Sequence, residues 1–288
     1  MLNSDTRLVV VTGSSNIMRA EACIRSWQEK AETRFTTVIV RNGADSAEIP
    51  DSLKRVVEVK AKDYLGSVPA FALGVQTALR LDSRAEVVAC LHDDLEILED
   101  GWDARVLNHF ASHPSTGLAG FFGASGIGDA DIYKTPYNPF QLARNGCRSN
   151  IEGAEAHGAR SIVASRVAVL DGFSLIGRAS FFRGEVFGTG ESTVPPWDMM
   201  AALGLVHHIY DGALGMLAAR RGWTTYFLPV ACKHYGGQTA VADAGYTEWA
   251  AKQIEGGDQG LWIDGHRKVY DEFRDVLPLR VQEGVVGV

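Results

Sequence analysis

Short β-branched runs, each ending in small or polar residues and each followed by a helical pattern, constrain this chain most. Leu8 to Thr12 is an apolar run that ends at Gly13, Ser14, Ser15 and Asn16. Ala20 to Glu29 then reads as a helix. Thr36 to Val40 is a second run, closed by Arg41, Asn42 and Gly43, and Arg55 to Val59 is a third. Pro69 to Leu81 predicts a helix, Val87 to Leu91 a further strand, and Trp102 to Phe110 another helix. Short apolar runs without alternation fit strands buried on both faces. Their alternation with helices predicts an α/β class: a Rossmann-like, mostly parallel, doubly wound sheet flanked by helices.

After Gly117 the pattern changes. Gly117 to Phe122 reads as one short apolar strand. Residues 123–160 are rich in Gly, Asn, Pro and Arg and lack periodicity, which predicts a long mobile loop closing over a site. Ile162 to Leu170 reads as a strand, followed by Asp171, Gly172 and Phe173 and an apolar run from Ser174 to Ile176. Tyr210 to Arg220 has helical spacing. Thr225 to Val230 predicts a last strand before Cys232, Lys233 and His234, and Tyr246 to Ile254 a helix ahead of a polar, Gly-rich tail.

The 288 residues are 46% hydrophobic, enough for a large core, and carry a formal net charge of −7 with a pI near 5.6. No basic tract offers phosphate neutralisation, so stable nucleic-acid binding is not expected. The four cysteines are scattered without a CxxC pair and read as reduced thiols. The first apolar run is too short for a signal peptide, and no stretch of about 18 apolar residues predicts a membrane span. A soluble, cytoplasmic protein without membrane binding is expected.

The chemistry concentrates where the run Val87 to Leu91 meets His92, Asp93 and Asp94. Adjacent carboxylates at the exit of a buried strand repel each other and are penalised by desolvation. A hard divalent cation such as Mn2+ or Mg2+ supplies the missing charge. Ligands of open α/β sheets bind at the carboxyl ends of strands. The same pair also suits a plain turn.

Other motifs are weaker. Val9-Val10-Val11-Thr12-Gly13-Ser14-Ser15-Asn16 looks like a dinucleotide loop but lacks the second and third glycines. No Tyr is followed by Lys four residues later, and there is neither a GxxxxGK[ST] loop nor a GxSxG elbow. His109 and His113 have zinc-pair spacing, but Pro114 ends the helix there, which predicts a solvated face. His207 and His208 are adjacent and would point apart in a strand or helix.

The ordered set of motifs resembles inverting, family 2-type glycosyltransferases of the GT-A fold, and most of all the streptomycin-biosynthesis-type glycosyltransferase branch. The carrying residues are Leu91-His92-Asp93-Asp94 with Gly101-Trp102, the strand Gly117 to Phe122, and the turn Leu170-Asp171-Gly172-Phe173. They continue with His208-Ile209-Tyr210-Asp211, and with Pro229 followed by His234, Gly236 and Gly237. The resemblance covers roughly residues 8–240. It departs at Arg41-Asn42-Gly43-Ala44-Asp45, where the branch carries Asp-Asp or Asn-Asn with Gly-Ser, and at Ala72, where an Asn is usual. The donor base is therefore left unspecified.

The resemblance implies a glycosyltransferase domain over 1–240 and a C-terminal extension over 241–288. Within the domain, 1–116 is the nucleotide-sugar half and 117–240 the acceptor half. It implies a UDP- or GDP-sugar donor and a divalent ion on Asp94 and His234. An imidazole beside a carboxylate suits Mn2+ better than Mg2+. Asp211 is implied as catalytic base. Asp171, Gly172 and Tyr210 are expected at the substrate, and Thr12, Gly13, Ser14, Asn42, His92 and Asp93 at the nucleotide. Trp197 and Trp262 are candidates for sugar stacking or for core packing. No motif names the donor sugar or the acceptor. A nucleotidyltransferase would use a similar metal but opens with a Gly-rich, basic loop that Thr12-Gly13-Ser14-Ser15-Asn16-Ile17-Met18-Arg19 lacks. A non-catalytic binding module of the same fold is the second alternative.

Overall fold

The computed structural model describes residues 7–43, 47–128, 142–153, 158–236 and 244–281. β1 (Leu8–Ser14), β2 (Thr36–Arg41), β3 (Val56–Lys60) and β4 (Val87–Leu91) run parallel in the order β3-β2-β1-β4. Their residues alternate between two apolar layers. Val9, Val11, Val38, Val88 and Cys90 share a cluster with Phe71, Val75 and Ala78 of α2 (Ser67–Leu81). Leu8, Val10, Ile39, Val87, Ala89 and Leu91 pack with Ile17, Ile24 and Trp27 of α1 (Ile17–Glu29) in the other. Both faces of β1, β2 and β4 are covered, which is why their apolar runs do not alternate with polar residues, while β3 at the sheet edge is half-buried.

α1 starts where Asn16 Oδ1 accepts from Arg19 N at 3.0 Å, an N-cap that satisfies one of the helix's orphan donors. Beyond β4 the sheet becomes mixed. β12 (Ser174–Arg178) runs antiparallel between β4 and β6 (Thr116–Gly120). β13 (Thr224–Phe227) is parallel to β6, and β10 (Ser165–Val167) closes the edge antiparallel. The result is an α/β fold with a large central sheet, β10-β13-β6-β12-β4-β1-β2-β3, flanked by helices. Among the helices are α3 (Trp102–Ser112), α4 (Ala179–Phe182), α5 (Pro196–Ala202), α6 (Tyr210–Arg220), α7 (Ala244–Gln253) and α8 (Gly257–Glu272). None among the described residues is long and apolar enough to cross a membrane. Cys23, Cys90, Cys147 and Cys232 are free thiols.

Four expectations are corrected. The run Gly117 to Phe122 is not one strand: β6 ends at Gly120, and β7 (Phe122–Ile127) starts a second sheet. A Cβ on Gly120 would collide with the Ser174 carbonyl, and Phe121 N donates to Ser174 Oγ at 2.8 Å, so the chain turns there. The region 123–160 is not simply a loop. β7, β8 (Arg144–Ser149) and β9 (Ala159–Arg160) form that second sheet with β11 (Val169–Leu170), and β15 (Leu279–Arg280) pairs with β7. Residues 129–141 and 154–157 of the expected lid lie outside the described residues, as does Gly237. Ile162 to Leu170 splits between the two sheets, with Ile162 77% exposed. The Gly-rich tail contains α8, whose Val269 joins Phe273 just beyond it in the main core.

Candidate functional site

The exit of β4 is held from several sides. His92 N donates to Phe173 O at 2.9 Å, across the β4–β12 pairing that sets Leu91 opposite Ser174. The chain then enters β5 (Leu95–Ile97), which pairs antiparallel with β14 (Cys232–His234) in the register His234 to Leu95. That register puts His234 beside Asp94: Nε2 lies 3.2 Å from Asp94 Oδ1. Trp27 Nε1 donates to Leu95 O at 2.6 Å and fixes the strand from below. Trp102 Nε1 in turn donates to Trp27 O at 2.9 Å, so the Gly101-Trp102 motif supports the site through a buried indole.

His92 Nδ1 lies 3.9 Å from Asp94 Oδ1, and ligand atoms of His92, Asp94 and His234 all lie within 4.8 Å of one another. Two N or O ligands held about 2.1 Å from one ion are separated by about 3.0–3.4 Å, so this trio fits a divalent cation with small adjustments. The other face of His92 supports the same reading. Its Nε2 hydrogen-bonds Tyr210 Oη at 3.0 Å, leaving Nδ1 toward Asp94. The ring of Phe173 stacks on His234 at 4.5 Å. Burial opposes ionisation of Asp94, but His234 and His92 outweigh it and hold the carboxyl below its usual range. Burial likewise lowers His92, which keeps a ring-nitrogen lone pair available.

Asp93 plays a different part. Its Oδ2 accepts from Ser14 Oγ at 2.7 Å, and Arg19 Nη2 is 4.0 Å away. Burial pushes its carboxyl up to about 6, against the lowering pull of Ser14. Gly13, Asn42, Phe71, Asp93, Asp94 and His234 are among the residues lining one cleft at the carboxyl ends of β1, β2 and β4. Asn42 Oδ1 accepts from Leu65 N at 2.7 Å and shapes the cleft's edge. A Cβ on Gly13 would press on Ala70 Cβ at 3.2 Å. Thr12 stands apart, fully buried in β1, and Ser14 reaches the site through Asp93.

Asp211 and Asp171 line a neighbouring cleft with Arg144, Trp262 and His266, and Gly172 adjoins it through its bond to Asp211. Asp211 opens α6. Its Oδ2 accepts from Gly172 N at 2.9 Å, and its Oδ1 from Gly212 N at 2.7 Å. Arg144 Nη2 lies 2.7 Å from Asp211 Oδ2, while its Nη1 lies 3.3 Å from Asp171 Oδ2. Burial opposes charge on Asp211, yet Arg144 and the two backbone donors hold the carboxyl below its usual range. Gly172 has no room for a side chain, since a Cβ would lie 2.5 Å from Tyr210 Oη. Burial raises the Tyr210 hydroxyl well above its ordinary value, so it stays protonated beside His92 Nε2.

Arg144 had no sequence signal, because β8 carries no apolar pattern. Trp197 is buried in the core, 2% exposed, whereas Trp262 lines the second cleft. His109 is not on a solvated face: it is buried, stacked on His113 at 4.3 Å and hydrogen-bonded to Thr116 at 3.2 Å. His207 and His208 do not point apart either. They lie in an irregular stretch before α6, with ring centroids 4.7 Å apart.

No protein-family model and no curated protein matches the chain. In structure it is similar to the crystal structure of A197 from STIV, at 9% identity and a TM-score of 0.40, over 80% of this chain and 86% of that one.

Proposed function

We propose that this protein is a metal-dependent, inverting glycosyltransferase of the GT-A type, moving a sugar from a UDP- or GDP-sugar to an acceptor hydroxyl. The observation that carries the reading is the His92–Asp94–His234 trio in a strand-end cleft, beside a second cleft holding two carboxylates. Asp94 and His234, with His92 beside them, would hold a divalent ion, Mn2+ ahead of Mg2+, which supplies charge neutralisation for a leaving diphosphate. Asp93, positioned by Ser14, contacts the donor's ribose. Gly13 and Asn42 give the nucleotide backbone room and polar edges. Asp171 accepts hydroxyl bonds from a sugar held over Gly172.

Asp211 is the base. A hydroxyl acceptor must lose its proton on the face opposite the leaving group, which calls for a carboxylate on the far side of the turn. Arg144 keeps Asp211 ionised but also occupies it. The same guanidinium already touches Asp171, so an acceptor hydroxyl takes the Asp211 Oδ2 seat as Arg144 shifts toward Asp171. That occupancy is the observation favouring the alternative of a binding module without turnover. Donor turnover separates the two. Mn2+-dependent release of UDP or GDP from its sugar, with transfer falling about 10²-fold in Asp211→Asn while donor affinity holds, supports the enzyme. Nucleotide-sugar binding without any turnover in the presence of sugar acceptors would support the module.

A further inference from the structure

A second set of metal-ligating side chains lies at the rim of the donor cleft. His207 and His208 come from the stretch before α6, and Asp258 from the first turn of α8. Ligand atoms of the three lie within 4.8 Å of one another. His208 Nε2 is 2.6 Å from Asp258 Oδ1. Each end of the set has an outer partner. Ser67 Oγ lies 2.9 Å from His207 Nδ1, and Tyr246 Oη hydrogen-bonds Asp258 Oδ1. The turn that brings the two rings together is closed by Ile209 at φ 59°, a left-handed conformation that a β-branched residue rarely adopts.

We propose that His207, His208 and Asp258 form a second divalent-metal site, for an ion of the zinc class, that ties α8 to the stretch before α6. Two imidazoles and one carboxylate with a fourth position open are a donor set that zinc takes in unsaturated sites. Here the open side faces the cleft, since His207 and His208 both line it. Ser67 at Nδ1 leaves the Nε2 of His207 to ligate, and Tyr246 orients the carboxylate. Such outer partners are what ligating residues require. An ion here would do two things. It would fix α8, whose Trp262 and His266 line the cleft of Asp211. It would also present a positive charge to an anionic group in the donor cleft. A salt link between His208 and Asp258, with His207 merely held by Ser67, is the competing arrangement, and it binds no ion. The proposal does not depend on the glycosyl-transfer reading.

Titration of metal-stripped, full-length protein with ZnCl2 by calorimetry tests it. Wild type is compared with Asp94→Asn, Asp258→Asn, His207→Gln and Ser67→Ala, each checked by circular dichroism for the native fold. Asp94→Asn retains a Zn2+ site, and adding Asp258→Asn or His207→Gln to it removes that site. Ser67→Ala in the Asp94→Asn background weakens it by about tenfold. Co2+ added to Asp94→Asn gives a ligand-field spectrum that the Asp94→Asn, Asp258→Asn pair lacks. The proposal is overturned if Asp94→Asn binds neither Zn2+ nor Co2+, or if its remaining site survives both His207→Gln and Asp258→Asn unchanged. Because Asp94 and Asp258 are probed separately, failure of this site leaves the cleft at Asp94 untouched, and the reverse.

Discussion

The Arg144 guanidinium bridges two carboxylates. It reaches Asp171 with one nitrogen and Asp211 with the other, and both it and Asp211 are largely buried. Removing one partner of a buried pair leaves an uncompensated charge, which costs more than the pair contributes. Arg144→Ala should therefore lower stability by about 3 kcal/mol, read from denaturant curves, and raise the Asp211 pKa. Backbone donors from Gly172 and Gly212 remain, so the loss should stay below complete unfolding. A change under about 0.5 kcal/mol, as at exposed ion pairs, would show that Arg144 is solvated in solution. Asp171→Asn tests the neighbouring seat. It removes one of two anions from the guanidinium while Asp211 keeps the shorter contact, so its stability loss should be smaller than that of Arg144→Ala, and an equal or larger loss would contradict the division of roles.

At the level of elements, packing overrides propensity at α2. Gly74 sits inside that helix, where Ala is favoured by about 1 kcal/mol on propensity alone. A Cβ there would collide with Val11 Cγ1 of β1 and lie 3.2 Å from Val40 Cγ2 of β2. Overpacking of this kind costs about 1–3 kcal/mol, so Gly74→Ala should destabilise, by melting temperature, and a stabilised variant would contradict the packing. The first half of the chain was legible because β1, β2 and β4 each contain an unbroken apolar run (Leu8 to Val11, Val38 to Val40, Val87 to Leu91) and α1 and α2 keep helical spacing. The strand-end acids could be found for the same reason. The second half was less so. β8 reads Arg144-Asn145-Gly146-Cys147-Arg148-Ser149, which has no apolar alternation, because its pairing with β7 rather than its side chains defines it. α8 carries Gly257, Gly260 and Gly265, poor helix formers, yet a Cβ on Gly265 would press on Ile209 at 2.9 Å. The register that brings His234 to Asp94 joins segments far apart in sequence, and only the resemblance pointed to it.

Across the whole molecule, buried histidines link stability to pH, among them His109, His207 and His266. Burial, then the neighbouring His113 and Arg178, lower His109 from 6.5 to about 4. The unfolded chain therefore takes up a proton near pH 6.5 that the folded chain refuses until about pH 4. His109 leaves stability intact above pH 6.5 and erodes it as pH falls toward 4, by up to about 3 kcal/mol. His109→Gln should make that stretch of the stability–pH curve shallower, with His207 and His266 keeping part of the slope, and an unchanged slope would contradict a buried, uncharged His109. The strand-end cleft is where the architecture and the chemistry meet. In open α/β sheets the carboxyl ends of strands bind the ligand, and here those ends carry Gly13, Asn42, Asp93 and Asp94. A metal on Asp94, as proposed, would be what a nucleoside diphosphate needs in order to bind there. Calorimetric titration of UDP and GDP with and without Mn2+, on wild type and on Asp94→Ala, tests it most directly. Wild type should bind in a Mn2+-dependent way, and an Asp94→Ala protein with an unchanged melting temperature should lose that binding. Wild-type affinity and metal dependence in Asp94→Ala would contradict it.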